Sequence, residues 1–235
     1  MFTLLIFGFF LGMRHALEAD HAAAVASLAT QKGTIWHTVK QGIVWGVGHT
    51  ITLIIVGSLV LIVGTTIPEQ WAHGLEGLVG LMLVGLGIDV LRRLRKERVH
   101  FHIHQHPDQP PHIHAHTHDV HEAHDLSSHR HSHPKGFPLR ALLVGLMHGL
   151  AGSAALILLT LQSSMNAAEA LGYILMFGLG SILGMGLLSC VLAIPFWYSA
   201  RSLTWIHDNL QRCVGVLTII LGCFIIWEHT AWVLS

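Results

Sequence analysis

Arg14, His15, Glu18, Asp20 and His21 put five ionisable side chains into eight positions, and apolar runs flank them: Phe2 to Met13 before, Ala22 to Ala29 after. An ion at bilayer depth costs about 2.5–3.5 kcal/mol even on insertion scales, so such residues face a protein interior and serve a function. Two imidazoles and two carboxylates at close quarters suit a divalent transition metal, because imidazole is a good ligand for nickel, cobalt, copper and zinc. On an ideal helix, at about 100° per residue, His15, Glu18 and His21 fall at about 0°, 300° and 240°, with Asp20 at about 140°. An unbroken helix therefore cannot bring His15, Asp20 and His21 to one ion. Either Glu18 joins the two histidines on a drifting face, or the helix unwinds near 16–19. The apolar segment has 28 residues, more than the roughly 20 a span needs, which leaves room for a break. Unwinding would also offer backbone carbonyls and amides to an ion. Arg14 is expected to act as an ion-pair partner for Glu18, Asp20 or a carboxylate elsewhere.

Two further histidines have the setting of ligands. His49 stands in Gly46-Val47-Gly48-His49-Thr50, where paired glycines permit close helix approach, on a segment that must return near the first. Its bland alternative is a core histidine hydrogen-bonded to a neighbouring helix. His148, in Met147-His148-Gly149-Leu150, takes a place equivalent to that of His15 in the second half of the chain. His37, His73, His207 and His229 lie near segment ends and read as interfacial. Asp89 precedes an arginine cluster and reads as its salt-bridge partner.

The elements that must hold these residues are membrane helices. Of the 235 residues, 52% are hydrophobic and 11% charged, with a mean hydropathy of +0.57, whereas soluble domains average about 25% charged. Six apolar spans are expected at roughly 2–29, 39–63, 75–91, 138–161, 170–195 and 210–233, giving an all-α membrane protein. A β-barrel would alternate apolar and polar residues, and these runs do not. Cys190, Cys213 and Cys223 fall inside apolar runs without paired spacing, so they read as buried small apolar residues rather than a disulfide framework. The chain opens directly into its first span, so no cleaved signal peptide is expected.

The halves resemble each other. Gly12, His15 and Leu17 align with Gly145, His148 and Leu150, and Asp20 falls on Ser153; Gly46, Gly48 and His49 lie over Gly178, Gly180 and Ser181; Gly80 and Gly87 lie over Gly215 and Gly222. The offsets are 133, 132 and 135. With three spans per copy, the copies are inverted repeats, a common transporter plan with the site at mid-membrane on an interrupted helix. The expected organisation is a first three-helix repeat over 1–94, a linker over 95–136 and a second repeat over 137–235. Lys32 and Lys40, the cluster from Arg92 to Arg98 with Arg130, Lys135 and Arg140, and Arg201 with Arg212 mark three loops as cytoplasmic. Both termini are then outside.

The linker is rich in histidine: thirteen of the 21 histidines lie between His100 and His133. His102, His104, His106, His112, His114, His116 and His118 form its alternating runs. Prolines and the scarcity of large apolar groups predict disorder. Neutral imidazoles bind late divalent metals promiscuously, so the linker reads as a cytoplasmic metal buffer or regulator; a solvated linker is the bland alternative.

Arg14-His15-Ala16-Leu17-Glu18-Ala19-Asp20-His21 resembles the signature R-H-A-x-D-A-D-H of the nickel/cobalt transporter family, and Gly48-His49-Thr50 resembles that family's G-H-[ST]. The resemblance implies metal binding by His15, Asp20 and His21 with Glu18 and His49. Three departures stand out: Glu18 replaces the usual Asp, six spans are expected instead of eight, and the second half carries His148-Gly149-Leu150-Ala151-Gly152-Ser153 in place of an acidic motif. That variant is similar to the urease-accessory type of membrane protein, thought to supply nickel. Some relatives with histidine-rich loops are exporters.

These observations predict a multi-pass transporter in a bacterial-type inner membrane, taking up nickel or cobalt as substrate under the membrane potential, with no cofactor. Across about 100 mV, negative inside, a divalent cation gains about 4.6 kcal/mol, enough for uptake without another energy source. No GxxxxGK[ST] occurs to drive pumping, and no HExxH helix points to an enzyme. Expected partners are the metal ion, the lipid bilayer and cytoplasmic nickel chaperones, with no nucleic acid. The alternatives are efflux by proton antiport, or a membrane-anchored chaperone working through the linker.

Overall fold

The computed structural model describes residues 2–31, 34–64, 68–96, 99–104, 112–117, 138–162, 166–202 and 204–233. Seven helices are described: α1 (Phe2–His15), α2 (Ala19–Ala29), α3 (Ile35–Val63), α4 (Glu69–Lys96), α5 (Leu139–Gln162), α6 (Ala167–Ser202) and α7 (Thr204–Val233). They coincide with the six expected segments, the first being divided in two. The protein is an all-α membrane protein. Helices α3, α4, α6 and α7 are each long and apolar enough to cross a bilayer, and α1 with α2 makes a fifth span bent by 57°. Helix α5 covers the remaining segment, with its described apolar part at Leu139–Ala151. Side chains such as Phe7, Ile55, Leu81 and Leu217 project outward from the bundle, as they must where the surrounding solvent is hydrocarbon.

The fifth expected segment ends at Pro195, yet α6 runs through Pro195 to Ser202. In a membrane helix the backbone groups a proline frees are re-satisfied by neighbours, so proline is a poor stop signal there. The cysteines also differ from expectation. Cys213 and Cys223 are exposed on α7 and Cys190 is half-buried, because in lipid an apolar residue need not face inward.

Two stretches of the linker expected to be disordered instead pair as antiparallel strands, β1 (Val99–His104) and β2 (His112–Thr117), with His100, His102 and His104 opposite His116, His114 and His112. The alternation of histidine with Phe101, Ile103 and Ile113 suits the period of a strand. His106 and His118 lie outside the described residues.

Helix packing follows the glycines. Helix α4 packs along α7, α3 against both α5 and α6, and α1 against α6. A methyl group on Gly12 would run into the Phe177 carbonyl, and one on Gly145 into the Trp45 carbonyl. Likewise Gly180 abuts Phe9 and Gly48 abuts Leu142. Between α4 and α7 the approach is mutual: a Cβ on Gly80 would lie 2.7 Å from the Gly222 carbonyl oxygen, and one on Gly222 2.6 Å from that of Gly80. Gly87 and Gly215 meet in the same way at 2.6 and 3.2 Å. Such backbone-to-backbone contact is how helices associate when burying apolar surface gains nothing over lipid.

Replacing Gly12 or Gly145 by Leu should force α1 from α6 or α5 from α3 at a cost of about 1–3 kcal/mol or more. Gly85→Leu should be silent, because nothing lies within 4 Å of a Cβ there. Melting of the detergent-solubilised protein, followed by size-exclusion chromatography, checks both.

Candidate metal centre

The break between α1 and α2 places two helix ends inside the bundle, and the sequence supplies each with the right charge. Arg14 and His15 occupy the last turn of α1, while Asp20 occupies the first turn of α2. Cations at a helix C-terminus and anions at an N-terminus oppose the macrodipole. The chain turns through backbone bonds from the Leu17 amide to the Arg14 carbonyl at 2.9 Å and from the Glu18 amide to the His15 carbonyl at 3.1 Å. Extended backbone at Glu18 (φ −62°, ψ 150°) then starts α2. Of the two conformations left open by the helical wheel, the unwound one is adopted.

Four imidazoles converge at the break. The His21 ring centroid lies 4.3 Å from His15, 4.1 Å from His148 and 5.4 Å from His49, and His15 lies 5.3 Å from His49. His21, His49 and His148 are all but inaccessible. The carboxylates stand behind these rings. Glu18 is 2.9 Å from His15 Nδ1, and the two oxygens of Asp20 lie 2.9 Å from His21 Nδ1 and 2.7 Å from His148 Nε2. The His21 backbone amide also donates to Asp20, at 2.9 Å.

The opposite nitrogens are left without partners: His15 Nε2, His21 Nε2, His148 Nδ1 and both nitrogens of His49 are buried and unbonded. A buried polar atom without a partner costs about 1–3 kcal/mol, so this clustering demands a reason. When a carboxylate accepts the proton of one ring nitrogen, the other nitrogen keeps its lone pair; this is how metal-ligating histidines are oriented. Ligand atoms of His15, His21 and His49 all lie within 4.8 Å of one another, as do those of Asp20, His21 and His148. A cavity of about 930 Å³, lined by His15, Glu18, Asp20, His21 and His148, gives access.

The structure thus brings together all six residues singled out from sequence: His15, Glu18, Asp20, His21, His49 and His148. His49 is not the hydrogen-bonded core histidine of the alternative reading, since neither ring nitrogen is bonded. Arg14 departs from expectation. The carboxylates of Glu18 and Asp20 are held by histidines, and Arg14 is exposed at the cavity wall with no carboxylate in ion-pair range among the described residues. Asp89 does pair as expected, with Arg93 at 3.1 Å and Arg140 at 2.8 Å.

Sequence reasoning treated His73 and His229 separately as interfacial. The fold joins them: His73 Nδ1 and His229 Nδ1 are 3.0 Å apart, and Glu76 lies 2.8 Å from His229. The spacing of His73 and Glu76, one helical turn apart, was a visible signal; the arrival of His229 from α7 was not.

The broken span and the convergent imidazoles define a class: a multi-pass, all-α membrane protein with a buried donor cluster suited to a divalent cation. Urease accessory protein UreH of Bacillus sp. (strain TB-90) is 36% identical to this chain over 225 residues, which cover 94% of the chain and 90% of that relative. The chain belongs to the nickel/cobalt transporter family, in its urease-accessory branch. No family model matches it, and no solved structure does.

His49→Leu removes two unbonded nitrogens and should leave thermal stability within about 1.5 kcal/mol of wild type, or raise it. Asp20→Ala strands two imidazoles and should cost about 1–3 kcal/mol. Melting in detergent without added metal distinguishes them.

Proposed function

We propose that the protein carries nickel, or cobalt, inward across the cell membrane, and that the ion binds mid-membrane among His15, His21, His49 and His148. The observation that carries this reading is the set of five buried imidazole nitrogens without partners around one helix break. Asp20 and Glu18 hold the rings in the tautomers that aim lone pairs inward and supply negative charge against the cation. The relative's name, as an accessory protein of urease, supports nickel supply as the purpose.

The transport frame is six spans in two inverted repeats. Support comes from exchange of helix contacts under the repeat offsets. Adding 133 to Gly12 and subtracting 132 from Phe177 turns that contact into the one between Gly145 and Trp45. The same operation turns Gly180 against Phe9 into Gly48 against Leu142, and an offset of 135 exchanges Gly80–Gly222 with Gly215–Gly87. Reciprocal exchange is what a two-fold axis through the bundle requires, and an odd number of spans per copy lays that axis in the membrane plane.

Basic loops in the cytoplasm put both termini outside. The cavity wall includes Leu11, from the α1 limb of the broken first span, and Val79 and Ile225, from the outer halves of α4 and α7, so the cavity is the outer vestibule. Toward the cytoplasm, Trp45, Val25, Leu28 and Met185 are packed in a buried cluster that closes the inner route. Uptake then follows the membrane potential, and the histidine-rich linker receives the ion for cytoplasmic nickel chaperones.

Cells expressing wild type should accumulate radiolabelled nickel. His15→Ala, His21→Ala or His49→Ala should reduce the initial rate at least about tenfold, while deletion of residues 100–133 should retain flux. Activity lost with the linker and kept by His21→Ala would instead make the linker the working part.

A further inference from the structure

We infer that His73, Glu76 and His229 form a second divalent-metal site, at the outer mouth of the vestibule, which captures the ion before it reaches the helix break. The inference rests on reading the cavity as an outer vestibule. His73 and Glu76 project from one turn near the start of α4, and His229 from the end of α7. Their ligand atoms all lie within 4.8 Å of one another, with Glu76 3.8 Å from His73 Nδ1 and 2.8 Å from His229 Nδ1. Glu76 and His229 line the same cavity as His15, Asp20 and His148.

The convergence of three donor atoms lets a cation replace a shared proton. His229 Nδ1 faces both Glu76 at 2.8 Å and His73 Nδ1 at 3.0 Å. Without an ion, one proton on His229 Nδ1 can be shared between the Glu76 carboxylate and the His73 Nδ1 lone pair. With that proton released, all three groups present lone pairs toward one centre and can take a divalent ion in its place. Two imidazoles and a carboxylate are a familiar donor set for borderline divalent metals, and three protein ligands leave a position for water and for exchange. That suits an ion in transit.

The frame is preorganised and the cluster is one-sided. The Gly80–Gly222 contact, which fixes α4 against α7, lies seven residues from His73 and seven from His229. At the opposite end of the same helix pair, the positions 135 away are Asp208, Gln211 and Leu94, which do not reproduce the donor set. A feature needed only to tie α4 to α7 would serve equally at both ends.

The test uses the full chain and Ni²⁺ alone. In equilibrium dialysis with radiolabelled nickel, the double variant His73→Phe/His229→Phe should bind one ion fewer per chain than wild type, both carrying the same linker. In cells it should raise the half-saturating external nickel about tenfold more than it lowers the maximal rate. His21→Phe should instead depress the maximal rate. Unchanged stoichiometry in a monodisperse variant overturns the outer site. If the double variant does not fold, Glu76→Gln keeps the side chain's size while removing the anionic ligand, and the same readouts decide. If wild type fails to accumulate nickel, the uptake reading falls, and dialysis still decides whether the outer site exists.

Discussion

A carboxylate within a membrane bundle must be neutralised by its neighbours, and the arrangement of this protein depends on how Asp20 meets that demand. It accepts the His21 backbone amide and ring nitrogen, both at 2.9 Å, and His148 Nε2 at 2.7 Å. Three donors from two separate segments hold the anion, and they hold it only if α2 starts where it does. A continuous helix would turn Asp20 away from His15 by about 140°. Breaking the helix costs backbone hydrogen bonds in a medium that penalises their loss. Part of that cost is offset because the new ends carry Arg14 and His15 on one side and Asp20 on the other, each opposing the local dipole. The spacing of charges in the first span therefore encodes a break as much as a ligand set.

Away from the break, many buried hydroxyls find partners on a neighbouring helix. Thr50 donates to the Gly178 carbonyl at 3.1 Å, Thr52 to Leu146 at 3.0 Å, Ser181 to Gly12 at 3.3 Å, and Ser27 meets Thr218 at 3.1 Å. These bonds cross between helices and fix their rotation. Single buried atoms elsewhere also lack partners, among them Gln41 Oε1, Trp45 Nε1, Tyr173 Oη and Ser189 Oγ, but five unbonded nitrogens gather at the break. Such a concentration of unsatisfied groups is the mark of a functional site.

Much of this was legible in the sequence because membrane solvent simplifies the code. Apolar run length located every described helix, and the wheel angles of His15, Asp20 and His21 posed the choice that the break resolves. His49 was readable through its flanking glycines. What could not be read depends on tertiary pairing or on lipid. Arg14 was assigned a carboxylate that histidines had already taken. The fifth apolar run thins out at Pro195, while α6 continues to Ser202. The cysteines of α7 looked buried because apolar residues in water are. His73 and His229 stand 156 positions apart, and only the packing of α4 on α7 reveals their proximity.

The proposed duplication also bears on why the donor cluster at the break is not repeated in the second half. The repeat offset pairs His15 with His148, and His21 lies 4.3 Å from one and 4.1 Å from the other, between two equivalent histidines. The remaining chemistry is not duplicated. Asp20 corresponds to Ser153 and His49 to Ser181, and Ser181 is spent on the Gly12 carbonyl. A symmetric frame allows a bundle to rock about its axis, yet a second carboxylate at that axis would bring two like charges together at high cost. Retaining the acids in the first half alone leaves Asp20 as the carboxylate shared by histidines of both halves, with Glu18 paired to His15. For an ion bound as proposed, relative motion of the halves would change its coordination, since His148 arrives from one side and His15, His21 and His49 from the other.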